Sequence, residues 1–333
     1  MLTRFEIPRR RTGPGSGRLI LRAVTVAAVA WLLATPRTGA AQPTILDVNA
    51  GERLVVVAPH PDDETLGAGG LIQRVLARGG TVRVVLITAG DGYVEAVVHE
   101  TGRLRPRPAE YVAYGERRLR EARSAFRELD GETIRAEHLL GFPDGGIEPL
   151  LTAHRQRTHP EQSSTTGASA PPYSETEHPD VRYDGDDLRA ALARCFREVQ
   201  PTIIAFPDPL DRHPDHRATG SFTLLAVKDL TEGHGRSQPA APRLLAYLVH
   251  WPDWPPGWDA ATPSALMSDA ALTLPSNLPA RDLERFALAL TDTEIAAKRR
   301  ALARYASQQE VMPSLLAAFV RRTEPFTVFT GTK

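Results

Sequence analysis

The apolar positions of this chain follow two rhythms. Leu54–Ala58, Val82–Thr88 and Thr202–Phe206 are short, mostly aliphatic runs of the kind that forms strands buried on both faces. Pro108–Leu129, Asp187–Val199 and His216–Leu230 instead space their apolar residues at helical intervals. A helix near Gly70–Arg78, a short strand over Glu137–Leu140 and a fifth strand over Arg243–His250 complete the series. Strand and helix alternate, which predicts a parallel, doubly wound α/β sheet with right-handed crossovers. Beyond it, Trp251-Pro-Asp-Trp-Pro-Pro-Gly-Trp258 is a loop that cannot continue a strand, its Trp side chains suited to sugar stacking or to plain packing. Asp292–Gln309 and Ser314–Arg321 read as amphipathic helices. Leu151–Asp186 is long, polar and rich in Ser, Thr and Pro: a lid or rim over a pocket, or a disordered insertion. With no internal repeat and no second boundary, residues 42–333 read as one domain carrying a loop insertion at 151–186.

The first 41 residues follow another pattern. Arg9-Arg10-Arg11 and Arg18 precede an uncharged apolar stretch, Ala23–Ala34, and then the small residues Gly39-Ala40-Ala41. This is the layout of an export signal, and the stretch falls short of the ~20 residues that span a bilayer. The expectation is a secreted or periplasmic protein, with an uncleaved N-terminal anchor as the alternative. The segment also hides a charge imbalance. The 333-residue chain has 40 basic and 40 acidic residues, but without the seven Arg and one Glu of residues 1–41 it has 33 against 39, a net of −6. A mildly acidic body without Lys/Arg blocks argues against nucleic acid as a partner. Cys195, the only cysteine, excludes an intrachain disulfide and a thiolate metal site.

Two polar clusters follow predicted strands, where open α/β sheets bind ligands. His60-Pro61-Asp62-Asp63-Glu64 comes after Leu54–Ala58, and His213-Pro214-Asp215-His216 after Thr202–Phe206. Catalytic zinc takes three His or carboxylate ligands and keeps a fourth position for water, whose pKa falls toward ~7. His60 and Asp63 supply a short-range pair and His216 a distant third ligand. Asp62, beside the ligands, is placed as general base; His213 is placed to donate to an oxyanion, with Asp215 orienting that imidazole. Glu64 reads as a helix N-terminal charge rather than a ligand. Gly67, Gly69 and Gly70 do not make the dinucleotide fingerprint, and the carboxylates before them would repel a pyrophosphate, so no nucleotide cofactor is expected. His99, His138, His178 and His250 have no ligand spacing, although His250 ends a predicted strand.

The segments Ala58-Pro-His-Pro-Asp-Asp-Glu64, followed by Leu66-Gly67, and Asp211-Arg-His-Pro-Asp-His216 resemble the two signatures of the PIG-L (LmbE-like) zinc-dependent deacetylases. The resemblance continues through Thr88–Gly92, Arg118–Glu121, Leu140–Gly145 and Lys298 to Gln308, over about residues 53–310. It departs at Pro59, where the family usually has Ala directly before the His. It implies a Rossmann-like fold and removal of the N-acetyl group from N-acetylglucosamine-type sugars or glycoconjugates. It further implies His60, Asp63 and His216 as zinc ligands, Asp62 as general base, His213 as oxyanion stabiliser and Asp215 as its orienting partner. Arg118 and Asp144 match sugar-contacting positions, and Asp91 lies where another pocket carboxylate often sits. Each has a plainer alternative: an ion pair of Arg118 with Glu121 one turn on, and turn chemistry for Asp91 and Asp144. A His₂-carboxylate set suits ferrous iron as well as zinc. Two other functions fit the same residues, an amidase acting on a larger sugar conjugate and a non-catalytic, metal-stabilised carbohydrate-binding protein. A purely structural site needs four ligands and no spare base, so Asp62 and His213 argue against the second.

Overall fold

In a computed structural model, the structure describes residues 44–130, 138–176, 178–232, 241–259, 269–279 and 283–329. The expected export segment, residues 1–41, lies outside them, as does Glu137. The elements run β1 (Thr44–Ile45), β2 (Arg53–Ala58), α1 (Asp63–Ala77), β3 (Thr81–Leu86), α2 (Val94–Thr101), α3 (Pro108–Asp130) and β4 (His138–Leu139). They continue α4 (Gly185–Val199), β5 (Ile203–Pro207), α5 (Pro214–Glu232), β6 (Arg243–Tyr247), β7 (Glu284–Ala289), α6 (Asp292–Leu302), α7 (Ala306–Gln309), α8 (Pro313–Ala318) and β8 (Thr323–Phe329).

All eight strands join one sheet in the order β1-β7-β8-β6-β5-β2-β3-β4. The run from β6 to β4 is parallel throughout, whereas β8 is antiparallel to both β6 and β7. Strand β2 shows why an unbroken apolar run marks the middle of such a sheet. Leu54, Val56 and Ala58 pack into the layer containing α1, α3 and α6, while Val55 and Val57 enter the layer formed with α4 and α5. The chain leaves β2 toward β3 and β4, then crosses back to β5 on the other side of β2. The loops after β2 and β5 therefore diverge at a topological switch point, opening a crevice beyond the strands' carboxyl ends.

Several elements differ from the sequence expectation. Helix α1 begins at Asp63, so Gly67, Gly69 and Gly70 lie inside it. Close packing explains two of these glycines: a Cβ at Gly67 would lie 2.4 Å from the Tyr247 ring, and one at Gly70 2.3 Å from Leu290. The helix expected over Asp292–Gln309 breaks into α6 and α7 around Tyr305. Strand β6 ends at Tyr247, short of His250, and β1, β7, β8 and α2 are additional elements. The described residues of the Leu151–Asp186 segment include two tyrosines seated on the body. Tyr183 is buried and donates to Gly141 O at 3.0 Å, and Tyr173 is buried with its hydroxyl on Asp91. Among the described residues no helix is long and apolar enough to cross a membrane.

Candidate active site

At the end of β2 the chain turns through His60-Pro61-Asp62 and enters α1 at Asp63; beyond β5 the Asp208–His213 loop enters α5 at Pro214. These two turns bring three donor atoms together. His60 Nδ1 and His216 Nε2 each lie 3.1 Å from the same Asp63 oxygen, Oδ2, and 3.3 Å from one another. Donors about 2.0–2.2 Å from a tetrahedral ion stand about 3.3–3.6 Å apart. The triangle is thus close to the size a divalent ion requires. Its chemistry also fits, because two imidazole nitrogens and a carboxylate oxygen are donors a divalent ion takes, and the two nitrogens stand only 3.3 Å apart. The sequence reading of His60, Asp63 and His216 as neighbours therefore agrees with their placement.

Asp211 stands behind His216. Its carboxylate lies 3.4 Å from His216 Nδ1 and 3.5 Å from His250 Nδ1, and accepts the backbone N–H groups of His213, Val249 and His250 at 2.9 Å each. Burial opposes its charge, but His216 and His250 outweigh burial and hold the Asp211 carboxyl well below the usual range. Sequence assigns Asp211 no role, and His250 only a candidate place on the pocket wall from its position at the end of a predicted strand; the structure has it on that wall. Asp211 stood inside the second signature, yet its contacts depend on the distant Val249-His250 turn.

On the other side of the triangle, Asp62 is nearly buried and adopts φ 132°, ψ −28°. Arg118, buried on α3, donates from Nη2 to Asp62 Oδ2 at 3.2 Å and to Pro61 O at 2.8 Å, and from Nη1 to Gly90 O at 3.0 Å. Burial, helped by the Asp63 and Glu64 carboxylates and opposed by Arg118, pushes Asp62 up to about 8. The Arg118–Glu121 ion pair is not formed: Glu121 instead accepts from Arg117 at 3.0 Å and from Ser307. Arg118 thus belongs to the site, holding Asp62 as well as lining the cleft.

Asp215 corrects the expectation. Its carboxylate does not orient His213; it accepts the N–H groups of Gly145 at 2.7 Å and Ile147 at 3.1 Å and lies 3.5 Å from His60 Nε2. The group meeting His213 is the Asp215 backbone N–H, which donates to Nδ1 at 3.3 Å. The physical reason is position: Asp215 sits in the first turn of α5, where its side chain is drawn to the 145–147 turn. Asp144 is beside the site, with Oδ1 3.1 Å from His60 Nε2 and Oδ2 accepting from Gly92 N at 2.6 Å. Asp91 is not among the cleft-lining side chains. It is buried beneath them against the Tyr173 hydroxyl, and burial together with the Asp144 charge pushes its carboxyl up to about 7. Glu64 is fully buried and bonded to Tyr305, so the helix-dipole reading understates it. Above the triangle opens a cleft of about 320 Å³. Its walls include Asp62, Arg118, Asp144, His213 and His250 on the polar side and Leu66, Tyr93, Met312 and Leu315 on the apolar side.

The sequence model of the GlcNAc-PI de-N-acetylase (PIG-L) family matches residues 55–227, just over half of the 333-residue chain. The chain belongs to the PIG-L family. It is therefore a hydrolytic N-deacetylase, the enzyme class that its two signatures implied. Among relatives of this PIG-L chain is the 1D-myo-inositol 2-acetamido-2-deoxy-alpha-D-glucopyranoside deacetylase of Tsukamurella paurometabola. It is 28% identical over 303 residues, covering 84% of this chain and 93% of its own. The enzyme of the same name from Rhodococcus jostii is 29% identical over 286 residues, covering 79% and 83%. In fold, the chain is similar to the N,N'-diacetylchitobiose deacetylase of Pyrococcus horikoshii, with TM-score 0.50 at 17% identity over 84% of each chain. A deacetylase of teicoplanin biosynthesis is similar at TM-score 0.50 and 17% identity, over 83% of this chain and 98% of its own.

Proposed function

We propose that this PIG-L chain is a divalent-metal-dependent deacetylase. Its substrate would be an N-acetylglucosamine-type sugar conjugate, from which it releases acetate and a free amine. The observation that carries the reading is the donor triangle of His60, Asp63 and His216, with edges of 3.1–3.3 Å, directly beside the buried carboxylate of Asp62. The relatives' activity on a 2-acetamido-glucopyranoside supports the substrate class. When bound, a divalent ion, zinc or ferrous iron, supplies a Lewis acid for the acetamide carbonyl and an acidified water.

The chain's own residues then divide the proton work. Arg118 holds Asp62 Oδ2, which leaves Oδ1 to take the proton of the attacking water. His213 accepts an amide N–H at Nδ1, which favours the neutral tautomer with its proton on Nε2. In that form His213 is a hydrogen-bond donor to the tetrahedral oxyanion, not an acid. The proton needed by the departing amine accordingly returns from Asp62, whose burial favours the protonated form. Arg118 and Asp144, on the cleft wall, are the proposed sugar contacts. The pattern of residues 1–41 supports export, so the substrate is expected outside the cytoplasm.

The test is acetate and free-amine release from a panel of N-acetylglucosamine conjugates, by chelator-treated and metal-loaded protein. Asp62→Ala should keep its metal and lose about 10²–10⁴-fold in kcat, whereas His216→Ala should lose both metal and turnover. Sugar binding without turnover by the loaded wild type, or a near-normal rate for Asp62→Ala, would sink the reading.

A further inference from the structure

The first turn of α1 is built against its usual logic. An Asp at a helix N-cap ordinarily turns its carboxylate onto the amides of the first turn. Asp62 occupies that position, and its carbonyl accepts from Thr65 N at 3.0 Å and Leu66 N at 2.8 Å. Yet its side chain makes no capping bond, and its φ of 132° lies where L residues are strained. Something must hold it there. Glu64 Oε2 reaches back to accept the Asp62 N–H at 3.1 Å, while Oε1 accepts from Thr65 Oγ1 at 2.8 Å and from the Tyr305 hydroxyl. Tyr305 Oη also lies 2.9 Å from Thr65 Oγ1. Both Glu64 and Tyr305 are fully buried, and Tyr305 arrives from the break between α6 and α7.

We propose that Glu64 and Tyr305 are positioning residues for the reaction: their bonds lock the Asp62 backbone so that its carboxylate points away from the helix amides and onto Arg118. This rests on the reading of Asp62 as the proton-transferring group. The break in the C-terminal helix acquires a purpose from it, because that break delivers the Tyr305 hydroxyl to Glu64. Without the clamp, Asp62 can relax toward an ordinary N-cap, drawing its carboxylate onto the α1 amides and out of reach of the water.

The experiment is a kinetic cycle on the metal-loaded, full-length enzyme. Tyr305→Phe keeps the buried ring and removes one hydroxyl; kcat should fall about 10–100-fold, the scale of a small misplacement of a reacting group, with KM within about twofold and metal content unchanged. Glu64→Ala should fall at least as far, and Glu64→Gln, which keeps an acceptor for the Asp62 N–H, should recover most of the loss. In an Asp62→Ala background, adding Tyr305→Phe should cost nothing further, because the clamp acts only through Asp62. A general structural role would instead lower both backgrounds alike. Wild-type kcat in Tyr305→Phe, an equal loss in both backgrounds, or Glu64→Gln no better than Glu64→Ala would overturn the clamp. Should Asp62→Ala itself run at the wild-type rate, the Asp62 reading fails first and takes the clamp with it. If Glu64→Ala does not fold, Tyr305→Phe and the double variant decide.

Discussion

Asp211 accepts three backbone N–H bonds and still lies 3.4 Å from His216 Nδ1, so its charge is fixed before any ligand arrives. A carboxylate on the far nitrogen of a ligating imidazole sets the tautomer, turns the ring and raises its basicity. Asp211→Asn should therefore weaken zinc binding by about 10–100-fold, read by competition with a chromogenic chelator; unchanged affinity would remove Asp211 from this role. The same residue marks how far single positions were legible in the chain. That His60, Asp63 and His216 meet is legible because the two short strings that carry them each follow a recognisable strand. Asp215 and Asp91 misled because their partners, the 145–147 turn and Tyr173, come from segments whose placement no local pattern encodes.

Helix α1 carries Asp63 at its start and packs its glycines against neighbours of different stiffness. At Gly67 an added Cβ would lie 2.4 Å from the Tyr247 ring, which is itself pinned by its hydroxyl to Val57 O at 2.7 Å. Neither partner has room to move. Gly67→Ala should destabilise the fold by about 1–3 kcal/mol and lower activity, since the shift is passed to the helix start. Gly69 offers the control in the same helix. Its added Cβ would meet Lys298 and Thr65 at 3.5–3.6 Å, which is ordinary contact. Gly69→Ala should be neutral or gain up to about 1 kcal/mol from helix propensity. Urea unfolding of the two variants checks both, and equal midpoints would refute the packing argument. From sequence, the Gly-x-Gly-Gly string read as punctuation before a helix near Gly70, because glycine's local meaning is a loop. The crowding by Tyr247 and Leu290 that requires glycine within a helix is a tertiary fact, absent from local pattern.

Across the molecule, the parallel half of the sheet was legible and the antiparallel half was not. Strands β2, β3 and β5 are buried on both faces and so appear as apolar runs. Strands β7 and β8 carry Glu284, Arg285, Glu324 and Pro325, a composition that argues against a strand until the pairing of Ala287 with Pro325 is seen. The proposed metal site draws on the legible half, since His60, Asp63 and His216 follow β2 and β5, far apart in sequence. An ion held there ties the two divergent loops together and binds only the folded chain, so it should stabilise the whole. At a thousandfold excess over Kd the linkage is about 4 kcal/mol, a rise in Tm on the order of 10 °C. Protons compete for the same atoms. Burial disfavours charge on the His60 and His216 imidazoles, but the surrounding carboxylates outweigh it, raising His216 to about 9 and His60 well above its ordinary value. Loading must release those protons, so affinity should climb with pH through the neutral range and the Tm difference shrink as the solution is acidified. Thermal unfolding with zinc and with excess chelator, at several pH values, measures both trends. In His216→Ala the zinc-dependent shift should vanish; its persistence there, or its absence from the wild type, would mean that no ion bridges the β2 and β5 loops.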